Sequence, residues 1–236
     1  MTPSSFGPAG RWCLLMAGVV LLSACTGLPA PRSAPDFSQI SLVAMMPVQN
    51  MAAIYGAASS VRNPLSGRVF ATGPVGASDA QSFEAGVYSR FVALGRFRVL
   101  PPGSALGAMS SLTATQTSHA TDRSLWIDSG RALNAQAVLV AFLYRYSDRI
   151  GSRYAAQQPA SVAFDLYLLR VPDGRILWTG LFNETQRALS ENLLELNKFI
   201  KRKGWVSADE LAAAGLDDVM ATLTPPGKAK DSENEP

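Results

Sequence analysis

The strongest structural signal lies in the middle of the chain, where a continuous apolar run precedes two stretches in which apolar and polar residues alternate. Gln136 to Tyr146 is almost entirely apolar, which is typical of a central strand covered on both faces. Residues 161–171 alternate, and residues 175–185 alternate again after the strong turn signal Pro172-Asp173-Gly174. The pattern predicts a buried strand followed by a β-hairpin.

Helical periodicity is found on both sides of these strands. Apolar residues recur at spacings of four, four and three from Phe83 to Leu94, so residues 79–94 are predicted to form an amphipathic helix. A capping box, Ser207-Ala208-Asp209-Glu210, predicts the start of the last helix. Two further helices are predicted at Asp122–Leu133 and Ser190–Lys201.

The first half of the domain is less regular. Ile40–Pro47 and Arg96–Leu100 are predicted as short strands. Residues 48–78 are rich in Gly, Ala, Ser and Pro, which indicates either a long loop or an inserted hairpin. Residues 103–120 are poor in charge and carry no clear periodicity, so no element is assigned to them.

The order of these elements predicts one α/β (α+β) domain, with a mixed sheet of about five strands and helices packed on it. This domain is expected to span residues 40–223, with a helical C-terminal part at 188–223. Residues 224–236 are predicted to be a disordered tail, because they are charged, contain prolines and lack apolar periodicity.

The N-terminus carries a different kind of apolar segment. Trp12–Leu22 is an unbroken apolar run of eleven residues after Arg11, shorter than the roughly 20 residues that a membrane-spanning helix requires. It fits the core of a secretory signal peptide over residues 1–24. The sequence Leu22-Ser23-Ala24-Cys25 that follows resembles the lipobox of bacterial lipoproteins. An ordinary signal peptide cut near Ala24, with a chance cysteine, is the alternative.

The lipobox resemblance implies cleavage after Ala24 and lipidation of Cys25 with a diacylglycerol and an N-linked acyl chain such as palmitate. Two or more chains anchor a protein stably in a membrane. Residues 25–39 contain three prolines and read as an extended tether. Thr26 replaces the aspartate that retains enteric lipoproteins in the inner membrane, so we expect outer-membrane anchoring with the domain facing the periplasm.

Composition removes several classes of function. The net charge is +3, and it falls to +2 when residues 1–24 are removed because Arg11 is their only charged side chain, so no nucleic-acid partner is expected. Cys13 and Cys25 are the two cysteines and His119 is the single histidine. The mature domain is therefore predicted to have no disulfide, no cysteine nucleophile, no metal site built from several histidines and no cofactor beyond the lipid on Cys25.

Catalytic candidates are few. His119 and Asp122 lack the tight-turn serine motif that a Ser-His-Asp hydrolase would supply, and a surface histidine is the favoured interpretation. Paired carboxylates could hydrolyse a glycan across a cleft, although solvated strand ends are the simpler interpretation. The acidic residues considered for such a pair are Asp148, Asp165, Glu184 and Glu191. The chain is predicted not to be an enzyme.

Two clusters are candidate binding sites. The first is rich in Arg and Tyr, which are common at interface hot spots; the alternative is a twisted hairpin connection in which Asp148 pairs with an arginine. Its residues are Tyr144, Arg145, Tyr146, Arg149, Arg153 and Tyr154. The second cluster could contact an anionic surface, or it could simply offset a helix dipole. Its residues are Lys198, Lys201, Arg202, Lys203 and Trp205.

Three segments together resemble a known superfamily. Arg96–Leu100 matches its strand "gRFxVv", Ala135–Ala141 its strand "aDaVlvG", and Asp173–Thr179 its hairpin motif "tGeilWs", although Ala141 stands where glycine is common. Over residues 40–187 the chain thus resembles periplasmic lipoproteins of the CsgG (curli secretion channel) and LpoB (penicillin-binding-protein activator) superfamily. The resemblance implies a TolB N-terminal-like α/β fold.

We therefore expect a non-enzymatic, lipid-anchored envelope protein that binds and regulates or assembles another envelope protein close to peptidoglycan. A subunit of a CsgG-like outer-membrane secretion channel is the first alternative, and it would require residues 48–78 to insert in the membrane. An envelope glycan or lipid hydrolase is the second alternative. The sequence leaves the oligomeric state open.

Overall fold

A six-stranded mixed sheet organises the fold in the computed structural model, which describes residues 37–114, 123–152, 156–186 and 205–223. Two short hairpins, β3–β4 and β7–β8, lie outside the sheet. The ten strands are β1 Leu42–Met45, β2 Gln49–Asn50, β3 Ser60–Arg62, β4 Val69–Ala71, β5 Arg98–Leu100, β6 Ala137–Ser147, β7 Ile150–Gly151, β8 Ala156–Gln158, β9 Ser161–Arg170 and β10 Ile176–Thr185.

The sheet is parallel on one side of its central strand and antiparallel on the other. Its order is β10-β9-β6-β1-β5, and the two-residue β2 also pairs with β6. Strand β1 runs parallel to β5 and β6, whereas β9 is antiparallel to both of its neighbours, β6 and β10. The predicted mixed sheet in a single α/β domain is confirmed, and β2 raises the strand number from five to six.

Helices cover both faces of this sheet. The described helices are α1 Met51–Tyr55, α2 Ala77–Ala93, α3 Pro102–Thr113, α4 Arg123–Ala132 and α5 Ala208–Ala221. Helices α2 and α5 supply apolar residues to the core on one face, while α1, α3, α4 and the β3–β4 hairpin supply those on the other. Two cores thus enclose the sheet.

Strand β6 is buried on both faces for this reason. Leu139 and Leu143 point into the core under α2 and α5, and Val140 and Phe142 point into the opposite core. Continuous apolar sequence is what such a position demands, because successive side chains alternate between the two faces. The predicted central strand and the predicted hairpin β9–β10 are confirmed.

The less regular segments contain more secondary structure than their sequence pattern specified. The inserted hairpin predicted as one alternative for residues 48–78 is confirmed as β3–β4, and the stretch also contains β2 and α1. Residues 102–113 form α3, which begins with Pro101 as N-cap and Pro102 in the first turn, where proline loses no hydrogen bond. The polar stretch after β6 contains the β7–β8 hairpin. The predicted helix Ser190–Lys201 and the tail 224–236 lie outside the described residues.

Candidate functional site

Asp165 lies in the middle of β9 and has no exposed surface. Its neighbours across the sheet are Phe142 on β6 and Leu181 on β10. The interpretation of this carboxylate as a solvated strand end is therefore wrong, because β6 and β10 flank it and the β3–β4 hairpin approaches it from above the sheet.

Three neutral donors surround the Asp165 carboxylate. The Tyr144 hydroxyl donates to Oδ1 at 3.1 Å, and the Tyr167 hydroxyl donates to Oδ2 at 2.7 Å. The Asn63 amide reaches both oxygens, at 3.3 and 3.2 Å, and also donates to the Tyr144 hydroxyl at 2.8 Å. A buried polar group is tolerated only when such partners satisfy it.

Asn63 connects this network to the turn of the β3–β4 hairpin. Its side-chain oxygen accepts hydrogen bonds from the backbone N–H groups of Leu65 at 2.7 Å and Ser66 at 2.8 Å. The ring of Phe70 on β4 stacks on Tyr144 with centroids 4.0 Å apart and an interplanar angle of 11°. The hairpin is therefore held to the sheet by polar and aromatic contacts that converge on Tyr144.

Burial dominates the ionisation of this cluster. It raises the pKa of Asp165 to about 7, against the smaller opposing effects of the Tyr167 and Tyr144 hydrogen bonds and the positive charge of Arg68. Burial and the nearby carboxylate raise the pKa values of Tyr144 and Tyr167, so both remain neutral donors. The Asp165 cluster, meaning Asp165 with Asn63, Tyr144 and Tyr167, thus contains one group that titrates near neutrality.

Among the described carboxylates, Glu184 does not form a catalytic pair with Asp165. Glu184 is opposite Val162, whose side chain enters the core under α2 and α5, whereas Asp165 points to the other face of the sheet. Asp148 follows β6 and accepts hydrogen bonds from the backbone N–H groups of Arg149 and Ala208. Because cross-strand partners share a face, Asp165 and Glu184 are separated by the sheet itself.

The predicted Arg- and Tyr-rich contact surface is largely turned inward. Tyr144 has no exposed surface and Tyr146 is 6% exposed, so neither ring is available to a partner, contrary to the prediction. The Tyr146 hydroxyl donates to Oδ1 of Asp209 at 2.5 Å, in the first turn of α5. Because aromatic rings in this stretch fill both cores, their density in the sequence reflects packing.

Arg145 is half-buried, and its side chain links β6 to β4, β9 and β10. Its guanidinium donates to Oγ of Ser161 at 2.5 Å, to the carbonyl of Ala71 at 3.0 Å and to the side chain of Asn183 at 2.9 Å. None of these partners is charged, and burial lowers the pKa of Arg145. The alternative pair between Arg145 and Asp148 is therefore not formed.

Arg149 and Asp148 fasten the end of β6 to the start of α5. Arg149 donates to the carbonyl of Trp205 at 3.1 Å, and Asp148 accepts from the N–H of Ala208 at 2.9 Å. Ser207 and Glu210 complete the predicted capping box at the same helix start. Arg149, which was predicted to contact a partner protein, therefore forms contacts within the fold.

Several predicted residues lie outside the described residues, so their predictions stay predictions. Trp205 is the one member of the basic cluster that lies within the described residues, and it is half-buried next to α5. The residues outside are Ala24, Cys25, His119, Asp122, Arg153, Tyr154, Glu191, Lys198, Lys201, Arg202 and Lys203.

An open groove of about 460 Å³ runs along the outer edge of β10, beside α5. Helix α5 packs closely against β10 here, and only glycine leaves enough space at the contact. A Cβ on Gly180 would lie 2.1 Å from Cγ1 of Val219, and a Cβ on Gly215 would lie 2.7 Å from the Phe182 ring. The groove is lined by Thr179, Gly180, Leu181, Phe182, Asn183, Glu184, Asp218, Val219 and Thr222. We call this feature the β10 groove.

Sequence reasoning missed both the Asp165 cluster and the β10 groove. A glycine within a strand is the signal that points to close approach by another element, and Gly180 carries it. Asn63, Tyr144 and Asp165 are far apart in the sequence, and no local pattern brings them together.

No group of three or more metal-ligating side chains is found within the described part of the chain. Within the same residues, none of the helices combines the length and the apolar character that crossing a bilayer requires.

No protein-family model and no curated protein matches this chain. Solved structures of similar fold include the LpoB C-terminal domain from Salmonella enterica, with 16% identity and a TM-score of 0.38 over 62% of this chain and 83% of that one. A PelC dodecamer from Paraburkholderia phytofirmans has 16% identity and a TM-score of 0.40 over 81% and 93%. Lipoprotein GNA1162 from Neisseria meningitidis has 13% identity and a TM-score of 0.39 over 69% and 96%. At these identities the likeness says nothing about activity.

Proposed function

We propose that this chain is a lipid-anchored envelope protein that binds another envelope protein and regulates or assembles it, without catalysing a reaction. The observation that supports this proposal is the sequence Leu22-Ser23-Ala24-Cys25, which resembles a lipobox and precedes a proline-rich stretch and a folded α/β domain. Such an order tethers a folded module to a membrane while leaving its surface within reach of neighbouring proteins.

The geometry of Asp165 and Glu184 counts against glycan hydrolysis by this pair. A glycosidase holds two carboxyl groups about 5–9.5 Å apart across a cleft that admits the sugar. Asp165 is sealed inside the fold and shares no face with Glu184. Zymography on peptidoglycan with Asp165→Asn and Glu184→Gln variants tests the hydrolase alternative, which predicts a cleared band that the variants lose.

The channel alternative would require residues 48–78 to leave their position on the sheet. In this position Val61 and Phe70 are buried in the core, and Asn63 is bonded to the Asp165 cluster. Light scattering of the detergent-extracted protein tests this alternative, because a channel subunit forms a large ring of defined stoichiometry whereas a binding module is a monomer or a small oligomer.

The anchoring step is tested in cells by labelling with a palmitate analogue. The native chain should take up the label and fractionate with the outer membrane, whereas Cys25→Ala should do neither.

Crosslinking in the same cells should then recover one dominant envelope protein with the native chain and much less with Cys25→Ala. Recovery of no specific protein from any surface position would overturn the proposed function.

A further inference from the structure

Strand β10 is the outermost strand on the antiparallel side of the sheet, and none of the described strands pairs with its outer edge. The β10 groove follows this edge over six consecutive residues, Thr179 to Glu184. Consecutive residues of a strand point to alternate faces, so a groove lined by all six lies along the edge and exposes the backbone there. No described strand uses the backbone N–H and C=O groups on that side of β10.

The sequence of β10 lacks the devices that usually protect an edge strand. Ten residues, Ile176–Thr185, contain no proline, no lysine and one charged side chain, Glu184. Proteins commonly block exposed edges with lysines, prolines or short strands, because an unprotected edge adds strands from other chains. The sequence of β10 therefore leaves this edge able to accept a further strand.

The two sides of the edge differ in chemistry. On one side, α5 presents Asp218 and Thr222 to the groove, and no described residue forms an ion pair with Asp218. On the other side, Leu181 is 39% exposed between Thr179 and Asn183. Alternate residues of an added strand would face the two sides of the sheet. One set would lie near the carboxylate of Asp218, and the other set would lie near the aliphatic side chain of Leu181.

We propose that an extended segment of an envelope partner protein adds to β10 as a further strand, with a lysine or arginine facing Asp218 and an aliphatic residue beside Leu181. This inference rests on the proposed function and names where and how the partner binds. Main-chain hydrogen bonds would supply affinity, and the alternating side chains would supply specificity.

Charge favours such a partner over a second copy of this chain. Helix α5 carries no basic residue. Of its acidic residues, Asp217 is paired with Arg90 and Asp209 accepts a hydrogen bond from Tyr146, whereas Asp218 lines the groove and has no ion-pair partner among the described residues. Two copies joined antiparallel through β10 would share one continuous sheet face, so their two Asp218 carboxylates would lie on the same side of the joint. Like charges placed together oppose association, whereas a basic side chain of another protein complements Asp218.

The test places a photoreactive benzoylphenylalanine at Leu181 in the full-length, lipidated chain in cells. The matched control places it at Leu106 on α3, which is 54% exposed and remote in sequence from β10. We expect the adduct with one envelope protein to be at least five-fold more abundant from position 181. The crosslinked partner peptide should contain a lysine or arginine within two residues of the attachment site.

Charge reversal then tests the role of α5. Asp218→Lys should lower the yield from position 181 at least five-fold, and Asp218→Asn should lower it less. Asp128→Lys, an equal charge change on α4, should leave it unchanged. Circular dichroism confirms that each variant folds.

Three results would overturn the proposal: equal yields from positions 181 and 106, insensitivity to Asp218→Lys, or an adduct with a second copy of this chain. The proposed function would survive if position 106 captured a specific envelope protein while position 181 captured none. It would fall together with the edge proposal if no position captured one.

Discussion

The hydroxyl of Tyr144 donates a hydrogen bond to Oδ1 of Asp165 at 3.1 Å, and neither residue has any exposed surface. The two residues lie on adjacent strands, β6 and β9, and the amide of Asn63 contacts both from the β3–β4 hairpin. A buried carboxylate without a charged hydrogen-bond partner is costly, so the fold retains it at the expense of stability. The packing of the β3–β4 hairpin on the sheet therefore depends on the hydrogen bonds of Asn63 with Tyr144 and Asp165.

Asp165 is expected to make the stability of the protein depend on pH. Its pKa is about 7 in the folded chain and 3.8 for an unperturbed aspartate, so the folded state holds the proton more tightly. This contribution to the free energy of unfolding is full below pH 3.8 and is lost as the pH rises to about 7. A shift of about 3 units corresponds to about 4 kcal/mol at most.

Urea unfolding of the native chain and of Asp165→Asn measures this effect. The free energy of unfolding of the native chain, minus that of the variant, should fall between about pH 4 and about pH 7 because asparagine does not titrate. Parallel curves for the two proteins would show that Asp165 has the same pKa in both states.

Tyr144→Phe should lower the free energy of unfolding by about 1–3 kcal/mol, because it leaves the carboxylate of Asp165 and the amide of Asn63 each short of one partner. The stacking on Phe70 is preserved in this variant. Tyr55→Phe is the matched control, since Tyr55 is 50% exposed, and it should change stability by less than about 0.5 kcal/mol. Equal effects of the two substitutions would mean that the buried hydroxyl contributes nothing.

Asp148→Ala should loosen the start of α5. It removes the acceptor for the N–H of Ala208, and losing a helix N-terminal partner typically costs about 1 kcal/mol. Hydrogen exchange of the α5 amides should rise more than that of β6. Asp128→Ala, which breaks only the surface pair with Arg131, should cost less than about 0.5 kcal/mol; a larger loss from Asp128 would contradict the assignment.

Gly180→Ala should push α5 away from the sheet, because the new Cβ would lie 2.1 Å from Cγ1 of Val219 and 2.7 Å from the Trp178 ring. Overpacking of this kind costs about 1–3 kcal/mol. Adding Val219→Ala should give a smaller total loss than the sum of the two single variants, measured by thermal and urea unfolding.

Gly103→Ala is the control for the loss of glycine itself. A Cβ at Gly103 meets nothing within 4 Å, and the residue lies in α3. Alanine there should stabilise the protein by about 0.5–1 kcal/mol because of its higher helix propensity. A destabilisation similar to that of Gly180→Ala would point to a general intolerance of substitution.

The sequence by itself determined the elements whose signals are local. Continuous apolar residues identified β6, alternation around Pro172-Asp173-Gly174 identified β9 and β10, and a capping box identified the start of α5. These signals are reliable because burial imposes a period on residues that are close in the chain.

The tertiary structure decided what those residues do. In the sequence, Asp165 is an ordinary polar position in an alternating strand. It is buried because β6 and β10 flank it and the β3–β4 hairpin packs over it. Tyr144 and Tyr146 read as contact residues, and only the two cores and α5 turn them inward. The position of β10 as the outermost described strand depends on the order of strands in the sheet, a relation between distant segments that no local period encodes.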